Sequence, residues 1–261
     1  MQVFKNIYEY RELLKTNIKK DIRGKYKGSF LGVLWSFLNP LLQVVVYWIV
    51  FPYLMRGTPI PNYLCYLVIG IIPWTFLTSV VSQGTPCIKN NAGIIKKVYF
   101  PREILPISQV LSSLINFFIS CIIIIIFCVG TGAGISYHII FLPIIAIIQT
   151  IFNLGINFLL SALNVYVQDI EYIVTFVINM AFYGTPILYS LETLNNAPSF
   201  LVKLVQLNPM TTIIEAYRNI FMYHEFPLLK PLLLVFILSI IILIFGYLVF
   251  KKLEKGFAEE M

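Results

Sequence analysis

Few side chains in this 261-residue chain are capable of covalent or metal chemistry, and their spacing argues against both. His138 and His224 are its two histidines, each in a loop between apolar runs, without an obvious nucleophile or base beside it. Cys65, Cys121 and Cys128 lie inside apolar runs and Cys87 follows one. No CxxC pair or Cys/His cluster occurs, so neither a zinc site nor a disulfide scaffold is indicated. Asp169 and Glu171 are two apart and would face differently on a helix; they read as charges favouring the positive N-terminus of the element that follows. No G-x-x-x-x-G-K-[ST] phosphate loop is present. The expectation is a chain with no catalytic residue, no metal and no cofactor of its own, so that any energy it uses comes from a separate subunit.

The candidates that remain are basic and aromatic. Residues 86–103 place Ile94, Ile95, Val98 and Tyr99 among Lys89, Lys96 and Lys97, a pattern suited to a short amphipathic helix ended by Pro101. Such a loop could dock a partner or anchor in lipid headgroups.

Composition decides what holds these residues. The chain is 59% hydrophobic and only 12% charged, where soluble domains carry about 25% charged residues. That shortfall leaves a soluble surface unsolvated and predicts an all-α polytopic membrane protein. A span needs roughly 20 apolar residues, and six segments without Asp, Glu, Lys, Arg or His qualify: 31–55, 63–83, 104–129, 139–165, 172–190 and 231–250. Lys and Arg fall fifteen to four in favour of residues 1–30, the 86–103 loop and the 251–261 tail. This bias puts both termini in the cytoplasm; the net charge of +7 is then a matter of topology, with no nucleic acid partner.

Three further elements are expected. Val3, Ile7, Tyr10, Leu14, Ile18 and Ile22 form one helical face within 1–30, an amphipathic interfacial helix rather than a cleavable signal. Residues 191–230 hold two apolar pieces too short to span, 200–207 and 211–222, which read as outer re-entrant helices. Their second member starts after Asn208-Pro209, with Thr212 and Glu215 at capping-box spacing. Asn153, Asn157, Ser161 and Asn164 make a polar stripe on the fourth span, facing protein or water rather than lipid. No span carries an acidic or basic relay, which disfavours ion-coupled transport.

The stretch from Arg23-Gly24-Lys25-Tyr26-Lys27-Gly28 to Trp35-Ser36-Phe37-Leu38-Asn39-Pro40 resembles the approach to the first span in type-2 ABC exporter permeases of the polysaccharide, teichoic acid and O-antigen export family. Lys96-Lys97-Val98-Tyr99-Phe100-Pro101-Arg102-Glu103 is similar to the family's second signature. Leu207-Asn208-Pro209-Met210 with Ile214-Glu215-Ala216-Tyr217-Arg218 resembles its outer segment.

The resemblance implies a permease in the bacterial cytoplasmic membrane, acting with a second copy of itself. Beneath it would lie a nucleotide-binding ABC subunit that binds ATP and Mg, and the cargo would be a lipid-linked glycan on a polyprenyl diphosphate. Residues 86–103 would be the coupling loop, with Ile94, Ile95, Lys96, Lys97, Tyr99, Pro101, Arg102 and Glu103 as its coupling residues. Arg23, Lys25 and Lys27 would meet the diphosphate at the inner gate, or serve orientation and anionic membrane lipid.

Aromatics form 15% of the chain, and their faces pack on the C–H faces of sugars without holding them tightly. Trp35, Tyr47, Trp48, Phe51, Phe176 and Tyr183 are the pathway candidates. The composition, rich in Ile, Lys and Asn, leans toward teichoic acid over O-antigen. Two rivals are a permease for a small lipophilic compound and a membrane-embedded enzyme acting on lipid-linked sugars.

Overall fold

Every element of the computed structural model, which describes residues 2–24, 35–54, 60–196 and 198–260, is helical or a connecting turn. Helices α1 (Gln2–Glu9) and α2 (Arg11–Gly24) lead to α3 (Trp35–Leu54) and α4 (Tyr63–Gly84). Two single turns, α5 (Cys87–Asn90) and α6 (Ala92–Ile95), precede α7 (Ile104–Gly130). Then come α8 (Leu142–Tyr166), α9 (Ile170–Tyr183), α10 (Ser199–Leu207), α11 (Pro209–Arg218), α12 (Leu229–Leu253) and α13 (Phe257–Glu260). Among the described residues, four helices are long and apolar enough to cross a membrane, within Tyr63–Gly84, Ile104–Gly130, Tyr137–Tyr166 and Leu229–Gly256. The remaining two predicted spans correspond to shorter apolar helices, Leu38–Tyr53 and Ile170–Tyr183.

Helix α4 occupies the centre because it is apolar on every side. It packs against α3, α7, α8, α9 and α11, and most of its side chains are buried. Around it, α8 and α12 cross at two glycines. A Cβ on Gly155 would lie 2.6 Å from the Leu243 nitrogen, and one on Gly246 would strike the Gly155 carbonyl. Only hydrogen at both positions lets these backbones meet.

The polar stripe of α8 points inward, as its spacing predicts. Asn153, Asn157, Ser161 and Asn164 are all buried. Asn157 Nδ2 donates to the Pro106 carbonyl at 3.0 Å, and Asn164 Nδ2 to Thr85 at 3.3 Å. Thr85 caps the C-terminus of α4, so its carbonyl is one that the helix leaves without a partner. One turn before Asn153, Gln149 Nε2 donates to the Pro73 carbonyl at 2.8 Å, and Gln149 Oε1 accepts from Tyr217 Oη at 3.1 Å. In an apolar surround these bonds replace water that is absent, and each fixes which helix face meets which.

The basic segments that are far apart in sequence converge on one end. A second apolar cluster there joins Leu14 of α2, Cys87, Ile88, Ile95 and Phe100 of the loop, and Phe250 and Phe257 of the C-terminal segment. The N-terminal helix is broken into two at Tyr10, and its apolar face (Ile7, Tyr10, Leu14, Ile18) packs on the bundle itself, chiefly α7. Within the segment 251–261 expected as a tail, residues 251–260 continue α12 and then fold back. Phe257 is buried 5.5 Å from the Phe250 ring, and Tyr166 Oη donates to the Leu253 carbonyl at 2.8 Å.

Candidate functional site

Three regions carry the polar and aromatic groups that the packing leaves available: the loop at the basic end, the face made by α3 and α9, and the segment 184–228 at the far end.

The loop 86–103 differs from the single helix its pattern predicts. After α5 and α6, the chain turns at Lys96–Val98 and extends through Tyr99 to Pro101. Ile94, Lys96, Lys97, Val98 and Tyr99 are exposed, with Tyr99 at 94%. Beneath them lies a shallow groove of about 310 Å³ bordered by Ile95, Phe100 and Arg102. Two of the expected coupling residues face inward instead. Ile95 belongs to the apolar cluster, which Leu14 and Cys87 share. Glu103 is fully buried; its Oε1 accepts from Asn6 Nδ2 at 2.9 Å, and its Oε2 pairs with Lys251 Nζ. Lys251 also meets Glu254 Oε2 at 2.8 Å, and Arg102 Nη1 donates to the Glu254 carbonyl. Glu103 and Arg102 therefore join α1, the loop and the end of α12, while Pro101 is half-buried beside them. A buried carboxylate is tolerated because both its oxygens are satisfied.

Asp21 on α2 borders the same end. Its carboxyl is pushed above its ordinary value by burial, against the opposing pull of Lys20 and a hydrogen bond with Gln109. Asp21 Oδ2 and Gln109 Oε1 are both buried without a partner. Of the proposed diphosphate-binding trio, Arg23 is exposed near the end of α2. Lys25 and Lys27 lie outside the described residues.

Aromatic candidates gather on the α3–α9 side of α4. Tyr47 lies 5.6 Å from Phe51 and 5.7 Å from Phe182, whose ring also sits 5.7 Å from Trp74 and 5.4 Å from Tyr183. Tyr47 and Phe51 are half-buried in this cluster, whereas Trp35, Trp48, Phe176 and Tyr183 are exposed. The polar residues that α3 and α9 expose set these two helices apart. Asn39 on α3 and Thr175 and Asn179 on α9 are exposed, whereas the exposed side chains of α12 between Leu233 and Leu248 are aliphatic or Phe.

The far end is organised by an arginine that composition alone would place in water. Helix α9 stops at Tyr183, and Gly184-Thr185-Pro186 turns the chain away well before the predicted limit at 190. At 1.5 Å per residue, its 14 residues cover only about 21 Å of the roughly 30 Å apolar layer. The carbonyls freed after the break are met by side chains from elsewhere. Arg218 Nη1 donates to Pro186 at 2.7 Å and Nη2 to Ile187 at 3.3 Å. Tyr63 Oη donates to Leu188 at 2.9 Å and Tyr66 Oη to Tyr189 at 2.7 Å. Asn208 Nδ2 reaches Thr185 Oγ1 at 2.8 Å.

Arg218 is completely buried and pairs with Glu215 Oε1 at 2.7 Å, one turn back on α11. Gly70 makes room for it, since a Cβ there would lie 3.1 Å from Arg218 Nη2. Glu215 thus holds Arg218 and does not serve in a capping box. The N-terminus of α11 is capped by Asn208, whose Oδ1 accepts from the Met210 nitrogen at 3.0 Å. Beside this latch a cavity of about 670 Å³ is bordered by Tyr66, Glu192, Glu215 and Glu225. The signal for it in the sequence was the Glu-x-x-Arg spacing, which ordinarily marks a solvated helix face.

A helical bundle with several membrane-length helices and a basic loop at one end defines a multi-pass membrane protein. The chain belongs to the ABC-2 type transporter family, whose pattern it matches over residues 12–222. It is 32% identical to the O-antigen export system permease protein RfbA of Myxococcus xanthus over 261 residues, the whole of both chains. Two proteins of that name from Klebsiella pneumoniae are 34% and 35% identical over 249 residues, 95% of this chain and 94% of each relative. It is therefore a multi-pass membrane permease, and membership of its family implies an ATP-binding partner.

Proposed function

We propose that this chain is the membrane-spanning half of an ATP-driven exporter of a polyprenyl-diphosphate-linked glycan of the O-antigen type. The exporter would work as two copies of the chain with two nucleotide-binding subunits. The relatives just described favour an O-antigen cargo over the teichoic acid toward which composition leans. In this reading α3 and α9 complete a set of six spans, α10 and α11 are re-entrant, and the basic end is cytoplasmic.

The observation that carries the reading is the face between α3 and α9. Trp48 of α3 and Phe176 of α9 are 47% and 64% exposed, and the same two helices expose Asn39, Thr175 and Asn179. Polar amides on a lipid-facing surface are costly, so such a face belongs to water, cargo or a second copy. Aromatic rings with scattered hydroxyls and amides let a sugar chain slide past without a tight stop. ATP binding and hydrolysis in the partner would act on the exposed edge Ile94, Lys96, Lys97 and Tyr99, and the half-buried Arg102 and Pro101 would support that edge. Ile95 and Glu103 would transmit the movement from inside. The chain itself breaks and forms no covalent bond in this scheme.

The test is ATP hydrolysis by the co-purified nucleotide-binding subunit in nanodiscs, with and without a polyprenyl-linked O-antigen. A stable complex whose hydrolysis responds to the glycan supports the proposal, and Tyr99→Asp should uncouple it without loss of fold. A preparation that binds no ATPase subunit would overturn it.

A further inference from the structure

Two of the four cysteines meet. Cys65 Sγ and Cys128 Sγ are 3.3 Å apart, although 63 residues separate them in the chain. Cys65 is in the first turn of α4 and Cys128 in the last turn of α7, so the pair joins two antiparallel neighbours at the far end of the bundle. Both side chains are buried, at 0% and 1% exposure. The other two cysteines have different settings. Cys87 is at the basic end, packed in the cluster with Leu14 and Phe257. Cys121 lies on α7 two turns deeper than Cys128. The spacing of these cysteines had suggested no disulfide, because local sequence spacing carries no information on a contact between two helix ends.

We infer that Cys65 and Cys128 form a disulfide that staples α4 to α7 on the exterior side. This rests on the orientation given under Proposed function, since thiols persist in the cytoplasm and oxidise outside it. In the finished bundle the two sulfurs are already in contact, so the bond needs only a small further approach. The oxidant is a disulfide-bearing exchange partner of the outer compartment. The Cys65 thiolate attacks one sulfur of that disulfide and expels the other as a thiol, leaving a mixed disulfide. The Cys128 thiolate then attacks Cys65 Sγ and releases the partner's second thiol. Two electrons and two protons pass to the oxidant, and the chain becomes lighter by two hydrogens. Because both sulfurs are buried in the finished bundle, exchange takes place before α7 closes over α4, and reductants are excluded afterwards. The staple lies within the central pair of helices, so it stabilises the bundle without spanning the α3–α9 face.

The experiment uses the full chain with its ATP-binding partner, extracted under acid quench. Free thiols are blocked with one alkylating reagent, the sample is denatured and reduced, and newly released thiols take a second reagent before peptide mapping. The expected result is the second label on Cys65 and Cys128 and the first label on Cys87 and Cys121. The first label on all four would overturn the inference.

Orientation is read separately, from a Thr193→Cys variant treated on intact cells with a membrane-impermeant maleimide. Labelling there together with reduced Cys65 and Cys128 defeats the disulfide alone. No labelling there, with labelling after permeabilisation, defeats the orientation. Cys65→Ser, Cys128→Ser and the double variant should each lower the melting temperature by about the same 5 °C, without adding. Additive losses that persist in reductant would show packing in place of a bond.

Discussion

The guanidinium carbon of Arg218 lies 3.4 Å from the centre of the Tyr66 ring, inside the bundle and out of reach of solvent. A cation over an aromatic face contributes about 2 kcal/mol or more when both are desolvated. Here the same cation also satisfies the carbonyls of Pro186 and Ile187 and the carboxylate of Glu215. One side chain therefore fixes the place at which the α9 segment leaves its helix.

Replacing Arg218 should cost more than an ordinary surface change. Arg218→Met removes the charge, leaves the Ile187 carbonyl and Glu215 unmet and leaves Pro186 only a long bond from Tyr66, with an expected loss of about 3–5 kcal/mol. Arg218→Lys should recover less than half, because a single ammonium cannot reproduce the planar fork over a ring. Tyr66→Phe keeps the ring and loses the hydroxyl's bond to Tyr189, for a smaller cost of about 1–2 kcal/mol. Thermal unfolding of the detergent-solubilised protein ranks the three.

Glu103 and Lys251 should behave as one unit. Lys251→Met leaves the buried Glu103 carboxylate without its cation and should destabilise by about 3 kcal/mol; Glu103→Gln should cost less, because the partly exposed Lys251 keeps Glu254, and the double variant loses less than the sum. A double-mutant cycle of melting temperatures measures the coupling. Additivity within about 0.5 kcal/mol would contradict the pairing.

Gly155→Leu should prevent α8 and α12 from closing. The new side chain would begin 2.6 Å from the Leu243 backbone, where nothing flexible can yield. Overpacking of this kind costs about 1–3 kcal/mol or more, and the expected readout is loss of monodisperse protein on size-exclusion chromatography. Gly93→Ala, with open space around it, serves as the control.

Asp21 makes the docking of α2 depend on pH. Burial raises its folded pKa above the ordinary value of about 4, so the ionised form is penalised in the folded state alone. The penalty is fully present above the folded pKa and fades as pH falls through it toward the unfolded value. Asp21→Asn removes the charge and offers a donor to Gln109 Oε1. The variant should therefore melt higher than the parent at pH 7, and the difference should close as pH approaches 4. A difference that is constant over this range would refute the account.

The parts of this architecture that were legible in the sequence are those encoded by short-range periodicity. Asn153, Asn157, Ser161 and Asn164 recur at four, four and three, and helical geometry alone puts them on one face that lipid would not tolerate. The convergence of residues 2–24, the 86–103 loop and the C-terminal segment on one end also followed from charge counting. Arg218 and Glu103 were not legible, because what surrounds them comes from far along the chain. The carbonyls that bury Arg218 are 31 and 32 residues away, and the partners of Glu103 are 97 and 148 residues away. A Glu-x-x-Arg or a Pro-Arg-Glu looks solvated until those contacts exist. Gly184 and Pro186 in the α9 segment would by themselves give a kink. It became a full departure from helix because Tyr63, Tyr66 and Arg218 supply the donors that the helix would otherwise have supplied.

Phe257 has a practical bearing on anyone who handles this protein. With its ring seated against Phe250 and near Arg102, the last turn of the chain acts as a plug rather than a handle. A protease site or affinity tag inserted ahead of Phe257 would unseat that plug and disturb the loop at the same end. The exposed turn at Glu192–Thr193, on the opposite end, offers a fusion point whose loading leaves Phe257, Glu103 and Lys251 in place.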